Sequence, residues 1–410
     1  MISLFNKKSI IWTIVALSLI PMVGCSSVAK PSQEEIQQPK KEIDPIEEQV
    51  KNMTLEEKIG QMVIIGLDGY TMDDNTRMMI EDDRVGGFIL FGENVKSSDQ
   101  LLALVNSLKN TNSKNKLPLF ISVDQEGGRV NRMPGEFKNF PANQTIGKVN
   151  NGDFSYEIGS ILGEEIKALG FNMDFAPVLD INSNPKNLVI GDRSFGTNAE
   201  VVSKLGIQTM KGIQTSGVIP VVKHFPGHGD TSVDSHIGLP SVDNDMNRLK
   251  SFELVPFNDA IKNGADAVMV AHILLNKIDS QNPASLSKTI ITDILRTQLN
   301  FNGLVITDDM TMGAIVKNYT ISNAAIKSVN AGSDIVLVCH GHDNEVAVID
   351  ALKKAVEEGT IPEERINESI YRILKLKYKY KLTDSTLNSI DVGKINSKIN
   401  NALDTYLNHK

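Results

Sequence analysis

The chain is poor in cysteine, in tryptophan and in net positive charge, and each shortage closes off a class of protein. Two cysteines, Cys25 and Cys339, in 410 residues cannot make a disulfide framework. Lys and Arg number 42 against 50 Asp and Glu, a formal net charge of −8. No basic stripe and no interleaving of aromatic with basic residues supplies the electrostatic footprint of a nucleic-acid binder. Long apolar runs are missing as well. The uncharged stretch Ser9–Gly24 is too short to span a bilayer comfortably as a permanent helix. What remains, 41% hydrophobic and 22% charged residues, fits a soluble body with a sizeable core. The length suits one large domain or two ordinary ones.

Lys7 and Lys8 precede that uncharged stretch, which has the length of a signal-peptide apolar region and ends in Met22-Val23-Gly24-Cys25. A small residue before Cys at the end of an apolar run resembles the lipobox of bacterial lipoproteins. The resemblance implies a signal peptide over residues 1–25, acyl chains on Cys25, and a place on the extracytoplasmic face of the cell membrane, since several acyl chains anchor stably. An ordinary signal peptide with an incidental Cys is the alternative. With Cys25 acylated no disulfide forms within the chain, and Cys339, in the apolar run Asp334–Cys339, reads as a small buried hydrophobe. Residues 26–48, rich in Lys, Glu, Gln and Pro, read as a solvated spacer. The folded body is assigned to residues 49–380, with a short amphipathic helix from near Ile46 through Gly60 at its start. Residues 381–410, polar and rich in Asn, Ser and Lys, form a C-terminal extension without an assigned role.

Within the body, apolar strand-like runs alternate with helix-periodic stretches. Eight runs qualify: Met62–Leu67, Gly87–Phe91, Leu117–Asp124, Met173–Ile181, Val218–His224, Ala267–His272, Leu304–Asp308 and Asp334–Cys339. They are short and rich in Val, Ile, Leu and Phe, as strands buried on both faces of a parallel sheet are. Between them lie amphipathic segments such as Leu101–Leu108, Tyr156–Leu169, Val201–Gln214, Leu254–Lys262 and Ile290–Leu299. Eight such units predict an α/β fold, a single (β/α)8 TIM-type barrel, with an open doubly wound sheet as the alternative. Asp124, Asp180, His224, His272 and Asp308 each end or follow a strand run. In a parallel barrel those ends share the face that carries the active site.

Three segments carry the chemistry. Lys223-His-Phe-Pro-Gly-His-Gly-Asp-Thr-Ser-Val-Asp-Ser-His236 places glycines and a proline after a strand, the mark of an irregular loop. Asp234 stands two residues before His236, close enough to orient the imidazole and raise its basicity, which makes His236 a candidate acid/base. His224, His228, Asp230 and His236 also offer metal-ligand chemistry, but their spacing matches no standard zinc pattern. A hydrogen-bonded structural role suits His228 and Asp230 individually. In Leu304-Val-Ile-Thr-Asp308-Asp309, Asp308 leaves an apolar strand as a carboxylate able to form a glycosyl intermediate or balance an oxocarbenium-like charge, with Asp309 in support. In Asp124-Gln-Glu-Gly-Gly-Arg129-Val-Asn-Arg132, an acid and two cations flank a Gly-Gly turn, and Asp192-Arg193 adds a further donor.

In this order the three segments resemble glycoside hydrolase family 3, and within it the NagZ-type β-N-acetylglucosaminidases. Lys223-His-Phe-Pro-Gly-His-Gly-Asp-Thr with Asp234-Ser-His236 carries most of the likeness, supported by Asp124-Gln-Glu-Gly-Gly-Arg-Val, Asp174-Phe-Ala-Pro-Val-Leu-Asp180 and Arg193-Ser-Phe-Gly196. The resemblance implies Asp308 as nucleophile, His236 as acid/base with Asp234 as its partner, and sugar contacts from Asp124, Arg132, Arg193, Lys223 and His224. It implies GlcNAc-containing peptidoglycan fragments as partners, with no cofactor and no metal. Phosphorolysis at the same site and a non-catalytic wall-fragment binding protein are the competing functions.

Overall fold

The eight apolar runs become eight parallel strands: β1 Val63–Ile65, β2 Gly87–Leu90, β3 Phe120–Val123, β4 Met173–Asp174, β5 Ile219–Phe225, β6 Ala267–Val270, β7 Leu304–Thr307 and β8 Val336–Val338. Every residue of these strands is buried, because one face fills the interior and the other meets the surrounding helices. The structure is a computed structural model that describes residue 24 and residues 44–408 apart from 232, 233 and 237. The leader, Cys25 and most of the spacer, and with them the lipid-anchor reading, lie outside the described residues. Among the described residues no helix is long and apolar enough to cross a membrane.

Neighbours pair in chain order, and Val63 pairs with Val336 so that β8 lies beside β1. Between β7 and β8 the ring is completed by the parallel bridge Ile306–Ile335 and by backbone bonds such as Thr307 N to Ile335 O at 3.0 Å. The sheet is therefore a closed (β/α)8 barrel, and the open doubly wound alternative falls. Beside this closure sits Asp334, fully buried, whose carboxylate accepts from Arg296 (2.5 Å), Arg365 (3.1 Å), Arg372 (3.1 Å), Ser369 Oγ (2.8 Å) and Val305 N (3.0 Å). Burial alone would raise this carboxyl, but the three guanidinium charges hold it at about 2. One side chain thus ties the segment Thr289–Gln298 and the helix Glu363–Lys379 to the seam of the barrel.

Several details differ from the sequence reading or add to it. The expected strand Met173–Ile181 keeps only two ladder residues. Pro177, which has no N–H to donate, interrupts it, and pairing resumes irregularly at Val178–Lys223. The expected helix Ile46–Gly60 is two helices, Pro45–Lys51 and Leu55–Gln61. Thr54 starts the second with a capping box in which Thr54 Oγ1 accepts from Glu57 N and Glu57 accepts from Thr54 N. The first of them begins within the stretch up to residue 48 read as spacer. Thr289–Gln298 winds as a π-helix. The C-terminal segment is docked on the barrel. Asp384 accepts from Asn112 Nδ2 at 2.7 Å and Leu119 N at 3.1 Å, and the helix Val392–Tyr406 buries Ile395, Ile399 and Ala402 while Tyr406 stacks on Phe154 of the helix Gly152–Ala168.

Candidate active site

The carboxyl ends of the strands open into one cavity of about 830 Å³. Its lining includes Asp124, Arg132, Arg193, Lys223, His224, Asp234, His236 and Asp308, so the eight residues expected as catalytic groups or sugar contacts meet at one place. Of the other strand-end residues, Asp180 and His272 are fully buried beneath the lining and act on it from below.

One wall is a network of opposite charges. Lys223, 1% exposed, donates to Asp124 Oδ1 at 2.5 Å and pairs with Glu126 Oε1 at 2.7 Å. Glu126 also accepts a two-pronged contact from Arg193, Nε at 2.8 Å and Nη2 at 2.7 Å, the planar geometry in which Arg binds carboxylate best. Burial alone would raise the Glu126 carboxyl, but the charges of Arg193 and Lys223 hold it below the ordinary carboxylate range. Arg193, expected as a sugar contact, has its guanidinium largely committed to Glu126, Val189 O and the neighbouring His224 Nε2. Glu126 was not foreseen. It lies inside the Asp124–Arg132 segment, but its partners stand 67 and 97 residues away and nothing in the local spacing announces them.

Gly127 (φ 81°) and Gly128 (φ 57°) turn the chain directly after Glu126, a left-handed path closed to β-carbons here because Phe140 and Pro141 press against Gly127 and Ala142 against Gly128. The turn brings Arg132 to the cavity. Arg129, by contrast, braces the rim, with Nη2 donating to Leu188 O and Val189 O and Nε pairing with Asp192 at 2.9 Å.

Asp180 organises the end of β5. Its carboxylate meets His224 Nδ1 at 2.6 Å and accepts from His228 N at 2.6 Å. Burial would raise it, but the His224 contact and these hydrogen bonds keep it below its ordinary value. His224 Nδ1 thus donates to Asp180 and its Nε2 faces Arg193 and the cavity. His228 is buried, bonded to Thr231 Oγ1 at 2.8 Å, and depressed in basicity first by burial and then by His224, which fits the structural role.

Asp308 follows β7. Its Oδ1 accepts from Asp309 N at 2.9 Å, and its other oxygen takes no hydrogen bond from any described residue. Burial would raise this carboxyl, while the charges of His272 and His224, the Asp309 N–H and Lys223 together hold it lower than usual, so it is an anion at neutral pH. Asp309 supports it. It accepts from Thr311 N and Cys339 N, tying the end of β7 to the end of β8. Cys339 is buried as expected and also lines the cavity beside the stacked pair Phe91–His340.

In the loop after β5, Asp234 Oδ1 accepts from His236 N at 2.9 Å and from His236 Nδ1 at 2.8 Å. Burial would raise the Asp234 carboxyl, but the backbone and ring hydrogen bonds of His236 keep it low, so it remains charged. With Nδ1 fixed, Nε2 is the nitrogen that can gain and lose a proton. The His236 side chain is 69% exposed. Among the described residues no three of His, Cys, Asp or Glu are grouped to hold a metal ion.

Residues 54–376 match the glycosyl hydrolase family 3 N terminal domain. Over 327 residues, 74% of this chain, the sequence is 38% identical to a β-hexosaminidase A of Pseudoalteromonas piscicida, of whose longer chain it spans 55%. It is 34% identical over 324 residues to a β-hexosaminidase of Nitrosomonas eutropha, spanning 77% of this chain and 91% of that one. Among solved structures, a family 3 β-N-acetylglucosaminidase from Paenibacillus sp. FPU-7 is similar with a TM-score of 0.82 and 41% identity, covering 86% of this chain and 69% of that one. The chain belongs to glycosyl hydrolase family 3, and by that membership it is a glycoside hydrolase.

Proposed function

We propose that the protein is a retaining exo-β-N-acetylglucosaminidase that removes non-reducing β-linked GlcNAc from peptidoglycan-derived fragments. The observation that carries the reading is the Asp234–His236 pair at 2.8 Å in the same cavity as the anionic Asp308. The activities named for the relatives support the choice of sugar. In the first step Asp308 attacks the anomeric carbon while protonated His236 gives its Nε2 proton to the leaving oxygen, and the glycosidic bond breaks. In the second, neutral His236 takes a proton from water, which displaces Asp308 and restores the β-configuration. Asp234 keeps the imidazole oriented in both steps. Asp124 and Lys223 are suited to the sugar hydroxyls: Asp124 keeps one carboxylate oxygen with no described partner, and Lys223, directed at Asp124 and Glu126, keeps one ammonium hydrogen. Arg132, half-buried on the cavity wall, supplies a further donor.

A chromogenic β-N-acetylglucosaminide and the matching β-glucoside test the reading. The first is hydrolysed, the second far more slowly, and the sugar first released, observed by NMR, is the β-anomer. An α-anomer would exclude retention, and sugar 1-phosphate formed in phosphate buffer would favour phosphorolysis. Release of GlcNAc from muropeptide disaccharides tests the natural substrate. The Cys25 motif further supports lipid anchoring outside the cytoplasm. Cys25→Ala is expected to leave the membrane fraction or to remain unprocessed, and unchanged fractionation and processing would exclude the anchor.

A further inference from the structure

Behind the Asp124–Arg132 turn lies a buried group that the mechanism does not use. Gln125, wholly buried, makes four hydrogen bonds. Its backbone N donates to Asp174 Oδ1 at 3.0 Å, its Nε2 donates to Asn131 Oδ1 and to Glu165 Oε2, both at 2.9 Å, and its Oε1 accepts from Arg132 N at 2.9 Å. The last bond fixes the amide, because a backbone N–H can only donate, so the nitrogen must face Glu165. Asn131 belongs to the same turn. Glu165, 40 residues away on the helix Gly152–Ala168, is therefore the one described side chain outside the turn that holds the Gln125 side chain in place.

Glu165 is an unusual anchor. It is fully buried, and among the described residues no cation pairs with it and its Oε1 has no hydrogen-bond partner. A carboxylate in that setting would be an uncompensated buried charge, so the group holds its proton and acts as a neutral acceptor. Burial raises it to about 8, with the Gln125 bond opposing only in part.

We infer that Glu165 is a positioning residue for the sugar-binding turn, acting through Gln125 to fix the backbone of Arg132 next to Asp124. The inference rests on the proposed sugar-binding role of that turn. With Glu165 removed, the amide loses its outside acceptor, Gln125 can rotate, and the Arg132 backbone bond is lost with it. The reacting groups Asp308 and His236 lie on other strands and loops and are untouched.

The test compares three variants on the chromogenic N-acetylglucosaminide. Glu165→Met keeps the volume and removes the acceptor, and KM is expected to rise about 10-fold with kcat changed much less, the cost of one buried donor left unpaired. Glu165→Gln, the uncharged mimic of the protonated acid, is expected to restore a KM within about twofold of the parent. Gln125→Met should raise KM as Glu165→Met does, and the double variant should be no worse than Gln125→Met alone, since both break one chain of contacts. An unchanged KM in Gln125→Met or Glu165→Met, a Glu165→Gln as impaired as Glu165→Met, or additive effects in the double variant would each overturn the inference. Gln125→Met still decides if Glu165→Met fails to fold. A parent enzyme inactive on the glycoside would instead count against the proposed activity, so the two failures are told apart.

Discussion

The two sides of the cavity are built on opposite plans. On one, Asp124, Glu126, Lys223 and His224 come from strand ends and their first turns, Arg193 joins them from the turn Gly191–Arg193, and all five are mostly buried and share one network of charges. On the other, Asp234 and His236 stand on a Gly- and Pro-containing loop and bond to each other, with the imidazole largely in solvent. A sugar ring that must be held in one pose gains from rigid groups whose orientation is settled before it arrives. A proton donor that must meet leaving groups of varied shape, and then water, is better placed where there is room to move. Asp308, anionic at the end of β7, belongs structurally to the rigid side.

The largest effect expected from this contrast is at Asp308. Asp308→Asn should fall to background on every substrate, natural or activated, because no covalent intermediate forms. Residual turnover that depends on the leaving group would mean that Asp308 only balances charge. His236→Ala should behave differently. Loss of acid assistance is expected to cost about 10²–10⁴-fold on a disaccharide and far less on an activated aryl glycoside. Azide, which needs no base, should restore turnover of the aryl substrate and give the β-glycosyl azide. Equal losses on both substrates, with no response to azide, would make His236 a binding residue.

Two stability measurements sharpen the contrast. Glu126→Gln leaves two buried cations short of a counter-charge, and urea denaturation should show a loss of about 3 kcal/mol or more. Asp234→Asn breaks an exposed pair and should cost less than about 1 kcal/mol while slowing the disaccharide reaction. Similar costs for both would erase the distinction between the two sides.

The last measurement concerns protons. Glu165 titrates near 4.5 when unfolded and near 8 when folded, so between those values the folded state holds the extra proton. The stability this confers is complete below about 4.5 and declines as pH rises toward 8, by at most about 1.4 kcal/mol per unit. Glu345, raised to about 8 by burial and by Asp68 and Asp73, acts in the same direction. Lys377, lowered by burial to about 7, acts oppositely between 7 and 10.5, which makes pH 5 to 7 the window to measure. Glu165→Gln should flatten the fall there, and an unchanged slope would mean that Glu165 is ionised in the fold.

Much of this was legible in the sequence because it is local. Each strand is a short apolar run, and each polar residue closing a run lands on the one face a parallel barrel offers. The Asp234–His236 pair is two residues wide. What could not be read depends on partners far apart in the chain. Glu126 gains its role from Arg193 and Lys223, and Glu165 gains its role from Gln125. The C-terminal helix is another matter. Ile395, Ile399 and Ala402 do recur at helical spacing, but Asn, Ser and Lys between them mask the pattern.

The seam beside Asp334 sets the order in which the molecule can be finished. β1 is made early and finds its partner β8 only after almost the whole body has been synthesised, since Val63 pairs with Val336. Until then β1 and β7 each keep a bare edge, the kind of surface that pairs with whatever strand is nearest. The three arginines that secure the join are later still in part, for Arg365 and Arg372 follow β8. A nascent chain halted between β8 and Arg365 has the strands of a barrel with only Arg296 of the clasp in place.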